Sequence, residues 1–560
     1  MHYTCTERIF LQGAAVNPVG KTSNALRVMT AIFLWAATSC APASAQEKPK
    51  AAAPCCASDT KSQAHDHGQE TTESSGFSAK VEAILGANPV SKGEWGILVE
   101  DAETGKVLYE QNADKYFVPA SNMKLFTTAL ALAKLGPEYR FRTTIETAGR
   151  VSDDGKLTGD LILVGRGDPN LSNRKFPYML KEEFDGASEK VIAELADAIV
   201  AKGIKEITGD IVGDDSYFPQ ERYPEGWEID DMVWEYGAAI SAIIVDDNTV
   251  ALTLTSGEKP GDPVTGELSP AAPEFTVNAQ VVTAAQGVKA DLTLTRDPGS
   301  NVVNLVGTLP AKSNPRKLVL AIQEPALHAA AMLKRLLVER GVKVYGGARA
   351  LHFPPGPPAG ETRTVLAEHL SVPLGESLQL VNKISQNLHT EVLLRTAARQ
   401  AGIWAKPEDL YKFPQDFYTA AGIAVDDVVQ SDGSGLSRHD LVTPRAIAAL
   451  LFYAEKQPWF SVYFSSLPVA GVDGTLENNL KNGPATGRLH AKTGSLEHVR
   501  SRSGYADLPN GRRLIFSFLS NNLAGKNHEA GDALDALSLA MIEEFDKPEQ
   551  ECCKCMKHSH

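Results

Sequence analysis

Near the carboxyl end, two strand-like runs, Leu489 to Asp507 and Arg512 to Ser520, flank Pro509-Asn510-Gly511. Asn-Gly between such runs is a strong hairpin signal, because both residues tolerate the positive φ that a tight turn requires. Leu514, Phe516 and Phe518 alternate with other residues, as one face of a sheet demands. The other end of the chain carries a matching pattern. Gly96-Ile97-Leu98-Val99 and Val107-Leu108-Tyr109 lie on either side of Glu103-Thr104-Gly105 and predict a second hairpin. Helical segments follow each pair, from Ser121 towards Lys134 and from Ala533 to Phe545. The two ends of the chain therefore read as one antiparallel sheet with helices packed on it.

The middle, roughly 145 to 365, has a different texture. Short strands such as Leu161-Ile162-Leu163-Val164 and Ile207 to Val212 alternate with turns. A Pro/Gly-rich stretch, Pro354 to Gly360, reads as a return linker. The 560 residues leave room for about three or four domain-sized units, and one or two are expected as insertions here. A composition that is 43% hydrophobic and 22% charged sustains a large core. The net charge of -14 argues against a nucleic-acid partner, since phosphate binding needs a basic surface.

The termini carry their own signals. Lys21 and Arg27 precede an apolar run from Val28 to Ala37, and Ala43-Ser44-Ala45 supplies a small-x-small cleavage site before Gln46. Residues 1–45 read as a signal peptide, so the protein is expected to be exported, to the periplasm or cell envelope. A retained anchor or a lipidated Cys40 are the alternatives, which leaves loose membrane association open. Residues 46–76 read as a flexible tether. All seven cysteines lie near the ends, so the body needs no disulfide and is not a thiol enzyme. Cys55 and Cys56 with His65 and His67, and Cys552, Cys553 and Cys555 in the tail 548–560, are thiolate and imidazole sets suited to Cu(I) or Zn, or else tails with no fixed partner.

Three short motifs carry chemistry. In Ser121-Asn122-Met123-Lys124 the serine and lysine share a helix face, so a proton-poor amine can take the hydroxyl proton near the positive helix end. In Ser385-Gln386-Asn387, within a segment of helical character from Leu378 to Arg399, the serine can relay a proton and the asparagine can hold a substrate amide. In Lys492-Thr493-Gly494, on an edge strand, lysine and hydroxyl can grip a terminal carboxylate, while Gly494 leaves room for substrate backbone to pair alongside. The backbone N–H groups of Ser495 and Ser121 together would form an oxyanion hole.

Each motif alone is weak; the three in this order are the signature of penicillin-binding proteins and class A β-lactamases. The chain resembles the D-alanyl-D-alanine carboxypeptidase/endopeptidases of the penicillin-binding protein 4 type, the class C low-molecular-mass group, from about Gly93 to Glu544. Further stretches share the likeness: Gly165-Arg166-Gly167-Asp168-Pro169, Gly209 to Phe218, Ser431 to Arg438 and Leu467 to Leu476. Gln386 departs from the aspartate of the general pattern, at a position the family tolerates. The resemblance implies a mixed α/β (α+β) fold: a penicillin-binding-protein/β-lactamase-like transpeptidase domain, residues 77–145 and 366–547, with two inserted β-rich domains in 146–365.

It also implies roles. Ser121 is the acylated nucleophile, Lys124 its base, and Ser385 passes the proton to the leaving amine. Asn387 and Thr493 hold substrate, and Lys492 supports the positive potential of the pocket. Asp214 matches a family aspartate that recognises the amine of a diaminopimelate side chain, and Arg438 and Leu496 match other pocket positions. Peptidoglycan peptides are the implied substrates, β-lactam antibiotics the implied inhibitors, and no metal or organic cofactor is required. The rival readings are a non-catalytic peptidoglycan-binding protein, or a β-lactamase or esterase on the same fold.

Overall fold

Phe77 and Val81 open the core, and the helix that carries them, α1 (Thr72–Leu85), starts inside the stretch expected to be tether. Phe77 is held edge-on by Tyr109 at 5.0 Å and packs on Phe545 at 5.4 Å, which gives the helix a reason to form. The computed structural model describes residues 8–9, 72–179, 182–352, 361–403, 406–524 and 527–547. The tether before Thr72, the five tail cysteines and the Pro354 to Gly360 linker lie outside the described residues. So does the signal segment, apart from Arg8–Ile9, which pair with Gly266 and Glu267.

Strands β1 (Glu94–Asp101) and β2 (Val107–Gln111) form the expected amino-terminal hairpin. Asp101 Oδ1 closes its turn by accepting from Thr104 N and Thr104 Oγ1 at 2.9 and 2.8 Å. A short 3-10 turn, Ala120–Asn122, then leads into α2 (Met123–Leu135), whose residues from Met123 to Leu132 are all buried.

The middle departs from expectation in one part. Strands β3 (Arg142–Thr147) and β4 (Leu161–Val164), helix α3 (Lys190–Ala201) and strand β5 (Ile211–Asp214) come first in the insert. Six strands follow: β6 (Thr249–Thr255), β7 (Thr265–Ser269), β8 (Thr276–Ala284), β9 (Asp291–Arg296), β10 (Val302–Pro310) and β11 (Arg316–Ala321). Helix α4 (Pro325–Glu339) and strands β12 (Ala348–Leu351) and β13 (Thr364–Leu370) close the insert. The six-strand part is β-structured around its own core of Val250, Leu252, Leu305 and Leu320.

The flanking part is α/β, not β-rich. Strand β5 pairs parallel with both β4 and β12, and parallel neighbours need crossover connections, here containing α3 and α4. Val191, Ile192, Leu195, Ala196 and Ile199 make the buried stripe of α3, a 3.6-residue period that marks a helix. Strands β3 and β13 pair antiparallel, so the expected cuts at 145/146 and 365/366 fall inside two paired strands.

The return half supplies α5 (Leu374–Lys383), α6 (Asn387–Gln400), α7 (Pro444–Glu455) and α8 (Phe460–Ser466). Strands β14 (Leu489–Leu496), β15 (Val499–Asp507) and β16 (Arg513–Asn521) and helix α9 (Asn527–Phe545) complete it. The main sheet runs β14-β15-β16-β1-β2, antiparallel throughout, so both chain ends share it as the hairpin signals require. One face packs on α2, α5, α7 and α8 through Leu98, Tyr505, Ile515 and Leu519. The other packs on α1 and α9 through Ile97, Val99, Leu514, Phe516 and Phe518. Each such fully buried side chain contributes about 1.5–3 kcal/mol.

The Pro509-Asn510-Gly511 hairpin forms with a three-residue loop. Only Gly511 has positive φ, at 88°, because Pro509 fixes a negative φ and selects a type I turn closed by a left-handed glycine. The run from Leu489 to Asp507 is itself two strands, turning at His498 (φ 62°), and leaves β14 at the sheet edge.

Candidate active site

Ser121 sits half-buried in the 3-10 turn at the amino end of α2. The residue before it, Ala120, is held at φ 48°, a left-handed conformation that costs a non-glycine residue energy and persists only where the surroundings fix it. Those surroundings are Gly435, in the loop from Ser431 to Arg438. A Cβ on Gly435 would lie 1.8 Å from the Ala120 carbonyl oxygen.

Lys124, one turn along and fully buried, places its Nζ 2.8 Å from Ser121 Oγ, 2.6 Å from Asn387 Oδ1 and 2.7 Å from the Ser434 carbonyl. Burial lowers the Lys124 amine to about 7, against the opposing pull of Asp432, Glu391 and Asp440. These carboxyls stand behind it. Asp432 accepts from the backbone N–H groups of Ser434, Gly435 and Ser437 at 2.9, 2.5 and 2.7 Å and from Trp227 Nε1 at 2.9 Å. It thereby shapes the loop that presents the Ser434 carbonyl. Burial and the nearby Asp432 raise Glu391 to about 7 and push Asp440 well up.

The segment of helical character from Leu378 to Arg399 is helical in two pieces, broken between α5 and α6. Ser385 makes the break at φ 64°, a second strained residue in the site. Gln386 caps α6 by accepting from His389 N at 3.4 Å, which is the chemistry a short acidic side chain would also offer. Asn387 bridges Lys124 and, through Nδ2, the Tyr236 carbonyl at 2.8 Å.

Lys492 Nζ donates to Ser385 Oγ at 2.9 Å and to the Thr493 carbonyl at 2.8 Å. Burial and the neighbouring Lys124 pull this amine well below the usual lysine range. Its two hydrogen bonds tie the second motif to the third. Thr493 Oγ1 is 2.6 Å from Thr475 Oγ1, and Ser495 is exposed. Gly494 also has a packing purpose. A Cβ there would lie 2.0 Å from Ser501 Oγ and 2.8 Å from the Pro119 carbonyl, so the missing side chain admits the segment before Ser121.

Arg438 joins Glu228 (2.7 Å) to the Glu497 carbonyl (3.1 Å), just past β14, and Leu496 is half-buried against the cluster around Phe218 and Trp227. Asp214 is not offered as a free carboxylate. It is 1% exposed, with Oδ1 accepting from Ser216 Oγ at 2.5 Å and Oδ2 accepting from Arg363 at 2.7 Å. Among the described residues this carboxylate is engaged in an ion pair with Arg363. Sequence reasoning missed Asn122, Tyr236, Asp432, Ser434 and Thr475; of these, Asp432, Ser434 and Thr475 lay in stretches already marked by resemblance. Beside the site a cleft of about 750 Å³ is lined by Ser385, Gln386, Asn387, Tyr236, Asp247 and Lys317, among others.

The three motifs thus converge from three distant chain segments on two linked hydrogen-bond groups, Ser121-Lys124-Asn387 and Ser385-Lys492. Comparison with known proteins agrees. A D-alanyl-D-alanine carboxypeptidase of Actinomadura sp. (strain R39) is 32% identical over 484 residues, 84% of this chain and 85% of that protein. D-alanyl-D-alanine carboxypeptidase DacB of Haemophilus influenzae is 27% identical, over 81% of this chain and 89% of that protein. The crystal structure of penicillin binding protein 4 (dacB) of that organism superposes with a TM-score of 0.72 at 26% identity, covering 84% of this chain and 99% of that one. A second structure of the same protein, complexed with a β-lactam, superposes at 0.68. The fold is accordingly that of the penicillin-binding proteins with additional domains. The family model for D-Ala-D-Ala carboxypeptidase 3 (S13) matches residues 77–540, and the chain belongs to that family.

Proposed function

We propose that the protein is a serine-type D-Ala-D-Ala carboxypeptidase/endopeptidase that acts on peptidoglycan stem peptides and cross-links through an acyl-enzyme on Ser121. The observation that carries the assignment of roles is the set of partners around Lys124. Two of them, Asn387 Oδ1 and the Ser434 carbonyl, can only accept. A neutral amine gives its two hydrogens to these and turns its lone pair to the third partner, the Ser121 hydroxyl. Burial supplies the neutral form near pH 7.

Ser121 Oγ attacks the carbonyl of the penultimate D-alanine while Lys124 takes the hydroxyl proton. The C–N bond breaks, and the leaving amine receives a proton through Ser385. Lys492 donates to the Ser385 oxygen and so leaves the Ser385 hydrogen free to point outward. Water then attacks the ester, releasing the acid and restoring Ser121. Asn387, Thr493 and the backbone of β14 hold the substrate, with the N–H groups of Ser121 and Ser495 at the oxyanion. β-Lactams mimic the acyl donor and acylate the same serine. Stem peptides lie outside the inner membrane, so this reading carries with it export to the periplasm or cell envelope. Among the described residues no helix is long and apolar enough to cross a membrane.

Intact-mass spectrometry with and without benzylpenicillin, followed by peptide mapping, tests the reading. One penicilloyl group on Ser121, absent from Ser121→Ala, is the expected result. Folded protein with no adduct and no drug turnover would overturn it, and rapid drug hydrolysis would favour a β-lactamase.

A further inference from the structure

Beyond the reacting groups, an acidic turn of the insert reaches the second motif. Asp246, Asp247 and Asn248 are consecutive and all left-handed, at φ 53°, 51° and 56°. Three adjacent non-glycine residues in this region are an unusual concentration of strain, which persists only where neighbours over-determine the backbone. They do so here. Asn248 Nδ2 donates to the Ala239 carbonyl at 3.0 Å, Thr249 Oγ1 to the Asp246 carbonyl at 2.7 Å, and Ile322 N to the Asn248 carbonyl at 2.8 Å.

The strain delivers one buried carboxylate to one place. Asp247 Oδ1 lies 3.0 Å from His389 Nε2, and its Oδ2 accepts from Arg174 Nε at 3.0 Å and from a second Arg174 nitrogen. Ser172 Oγ closes the ring, donating to Oδ1 at 3.2 Å and accepting from Asp247 N at 2.9 Å. Asp247 is 5% exposed and His389 1%. Burial alone would push the Asp247 carboxyl up; Arg174 and His389 more than reverse this and hold it far below the usual range. His389 Nδ1 has no partner among the described residues, so the Asp247 contact alone fixes the ring by hydrogen bonding.

His389 lies in the first turn of α6, two residues after Asn387. Whatever pins the ring also sets the rotation of that turn, and with it the Asn387 amide between Lys124 and the Tyr236 carbonyl. Across the adjoining cleft, Arg174, Asp246 and Asp247 face Ser385, Gln386 and Asn387.

We propose that Asp247 is a positioning residue for the acylation step: from the insert it clamps His389, and through the first turn of α6 it holds Asn387 and Ser385 in register with Lys124 and Lys492. This rests on the reading of Ser121 as the acylated residue. The insert then positions the catalytic groups by acting through His389.

The test is the kinetics of benzylpenicillin acylation of the full mature protein, followed by intact mass, so that only acylatable molecules are counted. Asp247→Asn keeps the shape and removes the charge. The acylation rate constant is expected to fall about 10- to 100-fold, as small displacements of reacting groups do. The dissociation constant of the non-covalent complex should change less than about threefold, a split that a merely structural role would not produce. His389→Gln should show the same split and serves as the second variant should Asp247→Asn fail to fold. An acylation rate constant within about twofold of the parent in either folded variant overturns the proposal. Loss confined to melting temperature, with acylation per folded molecule unchanged, overturns it too. Failure of the parent itself to acylate would instead sink the serine reading on which it rests.

Discussion

Asn122 Nδ2 donates to the Lys492 carbonyl at 3.1 Å, so the residue directly after the nucleophile anchors the edge strand of the third motif. Both groups are fully buried. Strand β14 pairs with β15 along its length and meets Val469 at His490 on its open edge, and the Asn122 bond adds a tie from the strand to the Ser121 turn. Asn122→Ala removes this contact while the Lys492 carbonyl keeps its place in the β14-β15 ladder, at a cost of about 0.5–1.5 kcal/mol. Urea unfolding is expected to show the loss, and benzylpenicillin acylation should slow in the molecules that remain folded. Unchanged acylation would mean that the strand is held without this contact.

Acylation should rise with pH through about 7 and level off above it. The base must be neutral to accept the Ser121 proton, and burial lowers Lys124 from the usual lysine range to about 7, so the competent form accumulates as pH climbs through that value. Lys124→Arg keeps the charge and removes the titration, because guanidinium does not lose its proton in this range. Its rate constant should fall about 10²- to 10⁴-fold, with no inflection near 7. Stopped-time mass spectrometry across pH 5 to 9, about two units to either side of that value, reads both.

What the sequence discloses about this site follows from how local each cause is. Ser121 and Lys124 are legible because helical spacing alone puts i and i+3 on one face. The main sheet is legible because alternation and turn residues are local signals. The break at Ser385 is hidden, since the apolar pattern of α5 and α6 continues across it and only tertiary contacts force φ to 64°. The Ser434 carbonyl is hidden for another reason: backbone acceptors have no residue type. Gly494 was visible, but its packing purpose was not, because the atoms it makes room for come from Pro119 and Ser501. Asp214 was legible only by resemblance, and its pairing with Arg363, 149 residues away in sequence, was not legible at all.

The loop that presents the Ser434 carbonyl depends on one charge. Asp432→Asn replaces an acceptor-only carboxylate with an amide whose Nδ2 meets donors, such as Ser437 N or Trp227 Nε1. Each buried donor left without an acceptor costs about 1–3 kcal/mol. The pH profile should move as well. Asp432 favours the protonated form of Lys124, so without its charge the amine is lowered further and the acylation midpoint shifts to lower pH. A midpoint that stays put or rises would show that Asp432 acts only on loop shape.

Gly494→Ala should stop acylation for steric reasons inside the protein. The new Cβ would lie 2.0 Å from Ser501 Oγ, which now donates to the Pro119 carbonyl at 2.7 Å, and 3.0 Å from the Ala120 Cβ. Relief requires β14 to move away from the turn that carries Ser121, or that turn to shift. Overpacking of this kind costs about 1–3 kcal/mol. A displacement near 1 Å between nucleophile and strand costs about 10²-fold in rate. Gly531→Ala in α9 is the matched control: no atom stands near the added Cβ and its φ is not left-handed. There the helix should gain about 0.5–1 kcal/mol with acylation unchanged. If Gly494→Ala instead acylates normally but binds a D-Ala-D-Ala peptide poorly, the glycine makes room for substrate after all, and the packing argument from Ser501 and Pro119 fails.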